Sequence, residues 1–527
     1  MNQRSEQWLG ALTASLFAAS LYYIRFGYQF GFSDQDEFIP LVMKWLNPDL
    51  FVRDWFVNQQ ASEFGVRTIF AGVIGLFSFV MPIWTVVLTF HVATWLALTI
   101  ALYNISYLLY NNKLTSFLFV IAATVLTARW NPGGNDVFHA MLVPSSTAWA
   151  FGFWSLDRFL RHRYTTAALL SCGALFVHPL VGIQIGALLG ACLILEHPKK
   201  AVRFVLPLAI VTVPMVVVFS NLGAPSNLAD GSDQILTHIR APHHYLPASF
   251  SIISWIKFAA ILLFGGLSFW FDTSRFSRGT TRTSILLLLG ISLLVLGFSA
   301  VLIGPVEFGL VTRLQPFNIA VFVRILSLLG CISLAVYFLP NNTLRLLDLM
   351  VSSSKSLGFA IFFLVLSVMV GRHWYGLLLS NPAAQPAAVS VLDHETATWI
   401  TQHTPQNALF AVPPSLSGFQ IQTSRAQYVN FKAFPFTTVE SEEWLRRLLL
   451  VAPVQTTSPG GTDLMHQMDR AYVASKPSYW VSTPELTDID YILRPLPISD
   501  AWSESSPAWC SPVWCIYEPK MIDSFSN

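Results

Sequence analysis

The sequence predicts a polytopic α-helical membrane protein of about eleven transmembrane helices, followed by a small C-terminal α/β domain on the extracytoplasmic side. Three observations predict this. Hydrophobic residues make up 54% of the 527-residue chain and charged residues only 11%, where a soluble domain carries roughly 25% charge. The mean hydropathy is +0.54. Apolar runs recur along residues 1–378, and the composition then turns polar and locally Pro-rich across 379–527.

The apolar runs fall at residues 8–27, 84–110, 114–128, 141–160, 164–178, 180–196, 203–220, 252–272, 283–303, 317–339 and 356–377. No small-residue cleavage site follows the first run, which predicts a retained helix rather than a removed signal peptide. Residues 67–81 are apolar but short, and Pro82 closes them, so they predict an interfacial or re-entrant helix within the first outer loop, 28–82. Lys and Arg bias sets the orientation. Lys113, Arg161, Arg163, Lys199, Lys200, Arg203, Arg275, Arg278, Arg282, Arg345 and Lys355 fall on one side, which is then the cytoplasm. Counting 67–81 as a full span would scatter these clusters over both faces. The N-terminus is therefore expected in the cytoplasm of a cell bounded by this plasma or inner membrane. Loops 28–65, 129–140, 221–250 and 304–316 face outward with the C-terminal domain.

In the polar tail, helices are expected at 393–402 and 441–450 and short strands at 408–412 and 427–431, enough for one small α/β domain. Five cysteines are too few for a disulfide scaffold or a Cys-rich metal site. Cys172, Cys192 and Cys331 lie in apolar runs and read as small hydrophobes. Cys510 and Cys515 lie in the outward domain, where the compartment permits a local disulfide. A formal net charge of +2 gives no sign of a nucleic-acid partner.

Against this scarcity of charge, "GFSDQDEFIPLVMKWLNPDLFVRDWFVNQQ", residues 31–60, holds five carboxylates: Asp34, Asp36, Glu37, Asp49 and Asp54. Asp49 and Asp54 read as members of a solvated loop. Asp36 and Glu37 open an amphipathic segment, 38–45, whose apolar face suits a bilayer surface. A carboxylate at that depth is poorly hydrated, and its pKa rises toward that of a useful base. A second outer loop, "ARWNPGGNDVFHAMLVP", brings Asp136 and His139 behind a flexible Pro-Gly-Gly turn. His178 precedes Pro179 at the outer end of a span and reads as a helix cap. Arg313 in "GPVEFGLVTRLQPF" suits either lipid phosphate or a substrate phosphate. Loop 221–250 adds His238, Arg240, His243 and His244. The adjacent His243-His244 pair lacks helical ligand spacing for a metal.

This arrangement resembles the GT-C superfamily of membrane glycosyltransferases. The shared elements are an N-in first helix and a large first outer loop with an acidic motif (Asp36-Glu37 in "SDQDEF"). A short second loop with another acid (Asp136 in "GGNDVF"), many spans and an outer C-terminal domain complete the likeness. Residues 399–436 also resemble the start of the soluble domain in bacterial members, where a "W-I-x-x-x-T-P" helix leads to a strand and a Ser-Arg pair, here Ser424-Arg425. No "WWDYG" motif is present, so transfer to a protein asparagine has no support. The resemblance implies sugar transfer, with inversion, from a polyprenyl-phosphate donor to a glycan, lipid or protein acceptor. Asp36 would be the base, with Glu37 and Asp136 orienting acceptor or metal, and Arg313 neutralising the leaving phosphate. Asp34, His139, His178, Arg240 and Arg425 would line the substrate. If a divalent cation, Mg or Mn, takes part, Asp36 and Asp136 would hold it.

Two other classes stay open. A transporter usually carries ionisable residues within its spans and internal repeats. Here Arg324 and, less so, His91 are the span-interior candidates, and no repeat of the spans is visible. A non-catalytic scaffold on the same architecture is the other alternative.

Overall fold

Backbone N–H and C=O groups inside a bilayer must be satisfied within the chain, and long apolar runs do this most simply as helices. A computed structural model describes residues 3–126, 131–222, 234–271, 279–303, 311–312, 314–340, 356–358, 360–361, 364, 392–436, 438–455, 457–498, 500–503 and 505–522. Arg313 and most of the expected span 356–377 lie outside the described residues. Each of the other expected spans contains a helix: Gln3–Phe26, Ile83–Tyr110, Lys113–Val125, Pro144–Leu160, Tyr164–Val177, Pro179–Glu196, Pro198–Leu222, Ile252–Phe271, Gly279–Ile303 and Ile319–Tyr337.

Among the described residues, only 6 helices are long and apolar enough to cross a membrane: Ser5–Phe26, Ile83–Tyr110, Pro179–Glu196, Ile252–Trp270, Thr281–Ile303 and Pro316–Tyr337. This corrects the expected number of spans. The helices Lys113–Val125 and Tyr164–Val177 hold 13 and 14 residues, or about 20 Å at 1.5 Å per residue, against a hydrocarbon core of about 30 Å. Pro198–Leu222 is long enough, but it opens with Lys199, Lys200 and Arg203. The chain is thus a mostly helical membrane protein with a small sheet domain.

The described chain forms two compact units. The first comprises Met1–Tyr28, Val87–Val217 and His243–Leu378 and is a helical bundle. Its most enclosed long helix is the last: 78% of the Pro316–Tyr337 window is buried, against 28% of Ile252–Trp270 and 33% of Thr281–Ile303. The latter two present Ile256, Phe264, Leu294 and Phe298 outward, an apolar surface that suits lipid rather than water. The Ile252–Phe271 and Ile319–Tyr337 helices touch through backbone. A Cβ on Gly265 would stand 2.0 Å from the Ser327 carbonyl oxygen, and one on Gly330 would meet the Gly265 carbonyl. Small residues at such crossings give the close packing that replaces hydrophobic drive in lipid.

The second unit comprises Gln29–Val86, Val218–Pro242 and Leu379–Asn527. Its centre is a five-stranded sheet ordered β2-β1-β3-β5-β4, where β1 is Leu409–Ala411, β2 Ala426–Gln427, β3 Tyr491–Pro495, β4 Trp509–Cys510 and β5 Trp514–Tyr517. β1 runs parallel to β2 and β3, while β5 is antiparallel to β3 and β4. Alternate residues serve opposite faces. Leu409, Ala411, Ile492, Cys515 and Tyr517 join one core with Trp444 and Tyr472. Phe410, Leu493, Trp514 and Ile516 join another with Ile400 and Phe419. The expected tail helices are observed as His394–His403 and Thr438–Val451. Cys510 and Cys515, directly opposed in β4 and β5, form a disulfide.

The acidic segment lies in this second unit, within Gln29–Val86. The helices Ile39–Leu46 and Thr68–Ser78 pack together, Phe38 against Phe70 at 5.2 Å and Gly75 facing Val42 and Trp45. The expected interfacial segment 67–81 is therefore a short helix with one buried face. Leu76, Phe79 and Val80 are exposed on and just beyond it.

The glycine contact in the bundle yields a paired test. Gly265→Ala is expected to lower the thermal midpoint of the detergent-purified protein by several degrees. Gly266→Ala, where a Cβ meets nothing within 4 Å, is expected to leave it unchanged or slightly raised, because alanine favours helix by about 1 kcal/mol. Equal midpoints for the two variants would contradict this packing.

Candidate functional site

The acidic motif folds as one tight turn, Ser33–Glu37. Gly31 enters it at φ +69°, and its N–H donates to Gln35 Oε1 at 2.6 Å. The turn buries Gln35, Asp36 and Glu37. It leaves the Asp34 side chain 34% exposed.

Each acid has its own partner within the unit. Asp36 Oδ1 accepts the Gly418 N–H at 2.8 Å, and Oδ2 accepts the Ser417 hydroxyl at 2.5 Å. Ser417 Oγ in turn accepts the Ser33 N–H at 2.7 Å. The approach is close enough to require glycine: Gly418 has φ +74°, and a Cβ there would stand 2.1 Å from the Gly31 carbonyl oxygen. Glu37 accepts from Arg67 Nε at 2.7 Å, and the Arg67 guanidinium lies 6.0 Å from the Phe436 ring. Asp34 pairs with Lys432 Nζ at 3.3 Å, both side chains being about a third exposed. Arg240 Nη2 donates to the Lys432 carbonyl at 3.0 Å, with its guanidinium over Phe431. Arg240, Lys432, Asp34, Asp36, Glu37 and Arg67 thus form one charged cluster. Sequence reasoning named four of these; Lys432 and Arg67 carried no motif that would single them out.

Burial raises the Asp36 pKa from the ordinary 3.8 to about 7. The Ser417 and Gly418 bonds and the Lys432 charge oppose that rise, and Glu37 adds to it. Asp54 was expected to be solvated and is not: it is 1% exposed. It caps the Trp55–Ser62 helix through the Val57 N–H at 3.0 Å. Its Oδ2 accepts the Gln427 N–H at 2.9 Å and Gln420 Nε2 at 2.5 Å. Burial raises its pKa also. Asp49 is exposed, as expected.

Residues 393–451 match DUF6798, a domain of unknown function. No curated protein matches the chain. The DUF6798 stretch supplies Ser417, Gly418, Gln420, Gln427 and Lys432, which hold Asp34, Asp36 and Asp54. It also holds Arg425, whose guanidinium donates to the carbonyls of Thr401, Thr404 and Thr423 and to Thr404 Oγ1. Arg425 therefore closes the C-terminal end of the His394–His403 helix.

The remaining candidates lie in the helical bundle. Asp136 Oδ1 accepts its own Val137 N–H and Arg324 Nη2, each at 2.7 Å. His139 Nδ1 lies 2.8 Å from Ser146 Oγ. His178 caps the Pro179–Glu196 helix, accepting the Val181 N–H at 3.4 Å. Arg324 was visible in the sequence only as a charge within an apolar run, which is itself a functional signal. Among the described residues, no group of three or more His, Cys, Asp or Glu is placed to hold a metal ion.

The raised pKa sets a pH dependence. The folded unit holds the Asp36 proton more tightly than the unfolded chain does. Its stability is therefore greatest below about pH 4 as far as this group is concerned, and declines as pH rises through about 7. Asp36→Asn is expected to flatten the fall in thermal midpoint between about pH 4 and 7. Asp54 has the same sign and remains in the variant, so some slope persists. Identical slopes for variant and wild type would refute the assignment.

Proposed function

We propose that the protein is a membrane glycosyltransferase of GT-C type, moving a sugar with inversion from a polyprenyl-phosphate donor to a glycan, lipid or protein acceptor on the outer membrane face. One observation carries the reading: a carboxylate reachable from solvent, Asp34, is held by Lys432 beside a buried carboxylate whose pKa is about 7. In the transfer, the acceptor oxygen attacks the anomeric carbon, and the bond to the phosphate oxygen breaks with its electron pair. The acceptor proton passes to a carboxylate. Phosphate is already a good leaving group, so one base suffices.

Burial divides the roles within the turn. Asp36 is 2% exposed and both its oxygens are engaged, which suits a positioning residue. Asp34, about a third exposed, is the better base. Lys432, which pairs with it, and Arg240, which holds the Lys432 carbonyl, suit the donor phosphate, beside the role that the resemblance gives Arg313. The proposal includes a cytoplasmic N-terminus and an extracytoplasmic C-terminal domain in the cell membrane.

Transfer of radiolabelled sugar from a polyprenyl-phosphate donor in isolated membranes tests the reaction. Asp34→Asn is expected to reduce it by about 10²-fold or more, and Asp36→Asn to reduce it less. Undiminished transfer by Asp34→Asn would remove the base assignment. Topology has a separate test. Cys510 and Cys515 are expected to resist a membrane-impermeant maleimide on intact cells until a reductant is added, and then to react. Labelling only after the membrane is permeabilised would place the domain in the wrong compartment, and labelling on intact cells before reduction would contradict the disulfide.

A carrier or binding role is the second reading, favoured by the Asp136–Arg324 ion pair inside the helical bundle. Substrate accumulation in proteoliposomes without covalent turnover would select it.

A further inference from the structure

Arg324 lies in the Ile319–Tyr337 helix and is 2% exposed. Its only ion pair among the described residues is to Asp136, through Nη2. Its Nε and Nη1 have no hydrogen-bond partner there. The loop that carries Asp136 repeats the pattern: Asn135 Nδ2 and Asn131 Oδ1 are also buried without partners. Buried polar atoms almost always find partners, so several beside one ion pair call for a physical explanation.

The loop is not free to turn these groups toward solvent. Asn131 Nδ2 donates to the Pro132 and Asn135 carbonyls. Gly133, at φ +82°, lies so close to Phe317 that a Cβ would stand 3.0 Å from that side chain. His244 Nδ1 holds the Gly133 carbonyl at 2.6 Å. The result is a fixed surplus of N–H groups on Arg324, paired with Asp136, and on Asn135, next to Asp136 in the chain.

We propose that Arg324 and Asn135 form a binding site for a phosphate group, with Asp136 as the positioning residue that fixes the guanidinium. Guanidinium N–H groups match phosphate oxygens in geometry and charge, and a phosphate presents more acceptor positions than a carboxylate. Asn135 Nδ2 supplies a neutral donor for a further oxygen, and Asn131 Oδ1 suits a protonated phosphate oxygen or a neighbouring hydroxyl. The phosphate could belong to a lipid headgroup or be free. The site uses no residue of the 33–37 turn, and its test reads binding alone, so loss of transfer by Asp34→Asn and loss of binding here are separate outcomes.

Equilibrium binding to the full-length protein in detergent tests the site, with inorganic phosphate, a polyprenyl phosphate and the matching uncharged polyprenol as probes. At least one phosphate probe is expected to bind more tightly than the polyprenol. Arg324→Lys is expected to weaken it on the order of tenfold or more, and Asn135→Ala by several-fold. Lysine keeps a charge for Asp136, and the Asn135 amide nitrogen makes no contact that folding needs. Should Arg324→Lys fail to fold, Asn135→Ala decides. Binding of the lipid alone assigns a lipid headgroup, and competition by inorganic phosphate assigns a site open to free phosphate; either supports the proposal. Phosphate probes no better than the polyprenol, or Asn135→Ala binding as wild type does, would overturn it.

Discussion

The sheet-containing unit depends on two buried carboxylates accepting backbone N–H groups from far along the chain. Asp36 takes the N–H of Gly418, 382 residues away, and Asp54 that of Gln427, 373 residues away. Neither side of this exchange is stable alone. A buried carboxylate without donors carries a desolvation cost that packing cannot offset, and a buried N–H without an acceptor costs about 1–3 kcal/mol. The acidic segment and the DUF6798 stretch therefore complete each other. The glycine contact of Gly31 with Gly418 and the pairing of Asp34 with Lys432 both follow from that register. Arg53 adds a rim contact to the same unit, pairing with Asp490, but at partial exposure such a pair contributes little.

The helical bundle is held by different means. Lipid is as apolar as leucine, so burying apolar surface between helices gains little there, and close backbone approach takes its place. Gly265 and Gly330 permit that approach where Ile252–Phe271 crosses Ile319–Tyr337. The one buried ion pair of this helix, Arg324 with Asp136, adds direction rather than much stability, because desolvating both charges offsets most of their attraction.

Features with a local cause were legible in the sequence, and features with a distant cause were not. Apolar runs marked the long described helices of the bundle within a few residues, because hydrophobicity along one helix needs no partner to be read. Their crossing of the bilayer was less legible: Lys113–Val125 holds only 13 residues, because Asn112 fixes its start as N-cap and the apolar run alone does not set its end. The capping role of His178 was readable from the following proline. Asp54 was misread because a carboxylate in a polar loop looks solvated until its distant partners, Gln420 and Gln427, are known. Arg425 had the opposite fate: a residue in a suggestive Ser-Arg pair turns out to hold the carbonyls of a helix end. Strand ends shifted too, with β2 ending at Gln427 rather than running to Phe431.

A chain with 11% charged residues in and beside a membrane keeps many of the charges among its described residues in fixed company. Of the five carboxylates between residues 31 and 60, Asp36, Glu37 and Asp54 are buried with partners. Their contacts are what the fold requires, and they say little about chemistry. Asp34 differs because its partner leaves it within reach of solvent. Arg324 differs because one ion pair leaves other N–H groups without acceptors. Folding alone accounts for a satisfied buried charge; it does not account for a reachable carboxylate fixed beside cations, or for a buried cation with donors to spare. Functional capacity is therefore to be sought where hydrogen bonding is incomplete or solvent can enter, rather than where acids are most numerous.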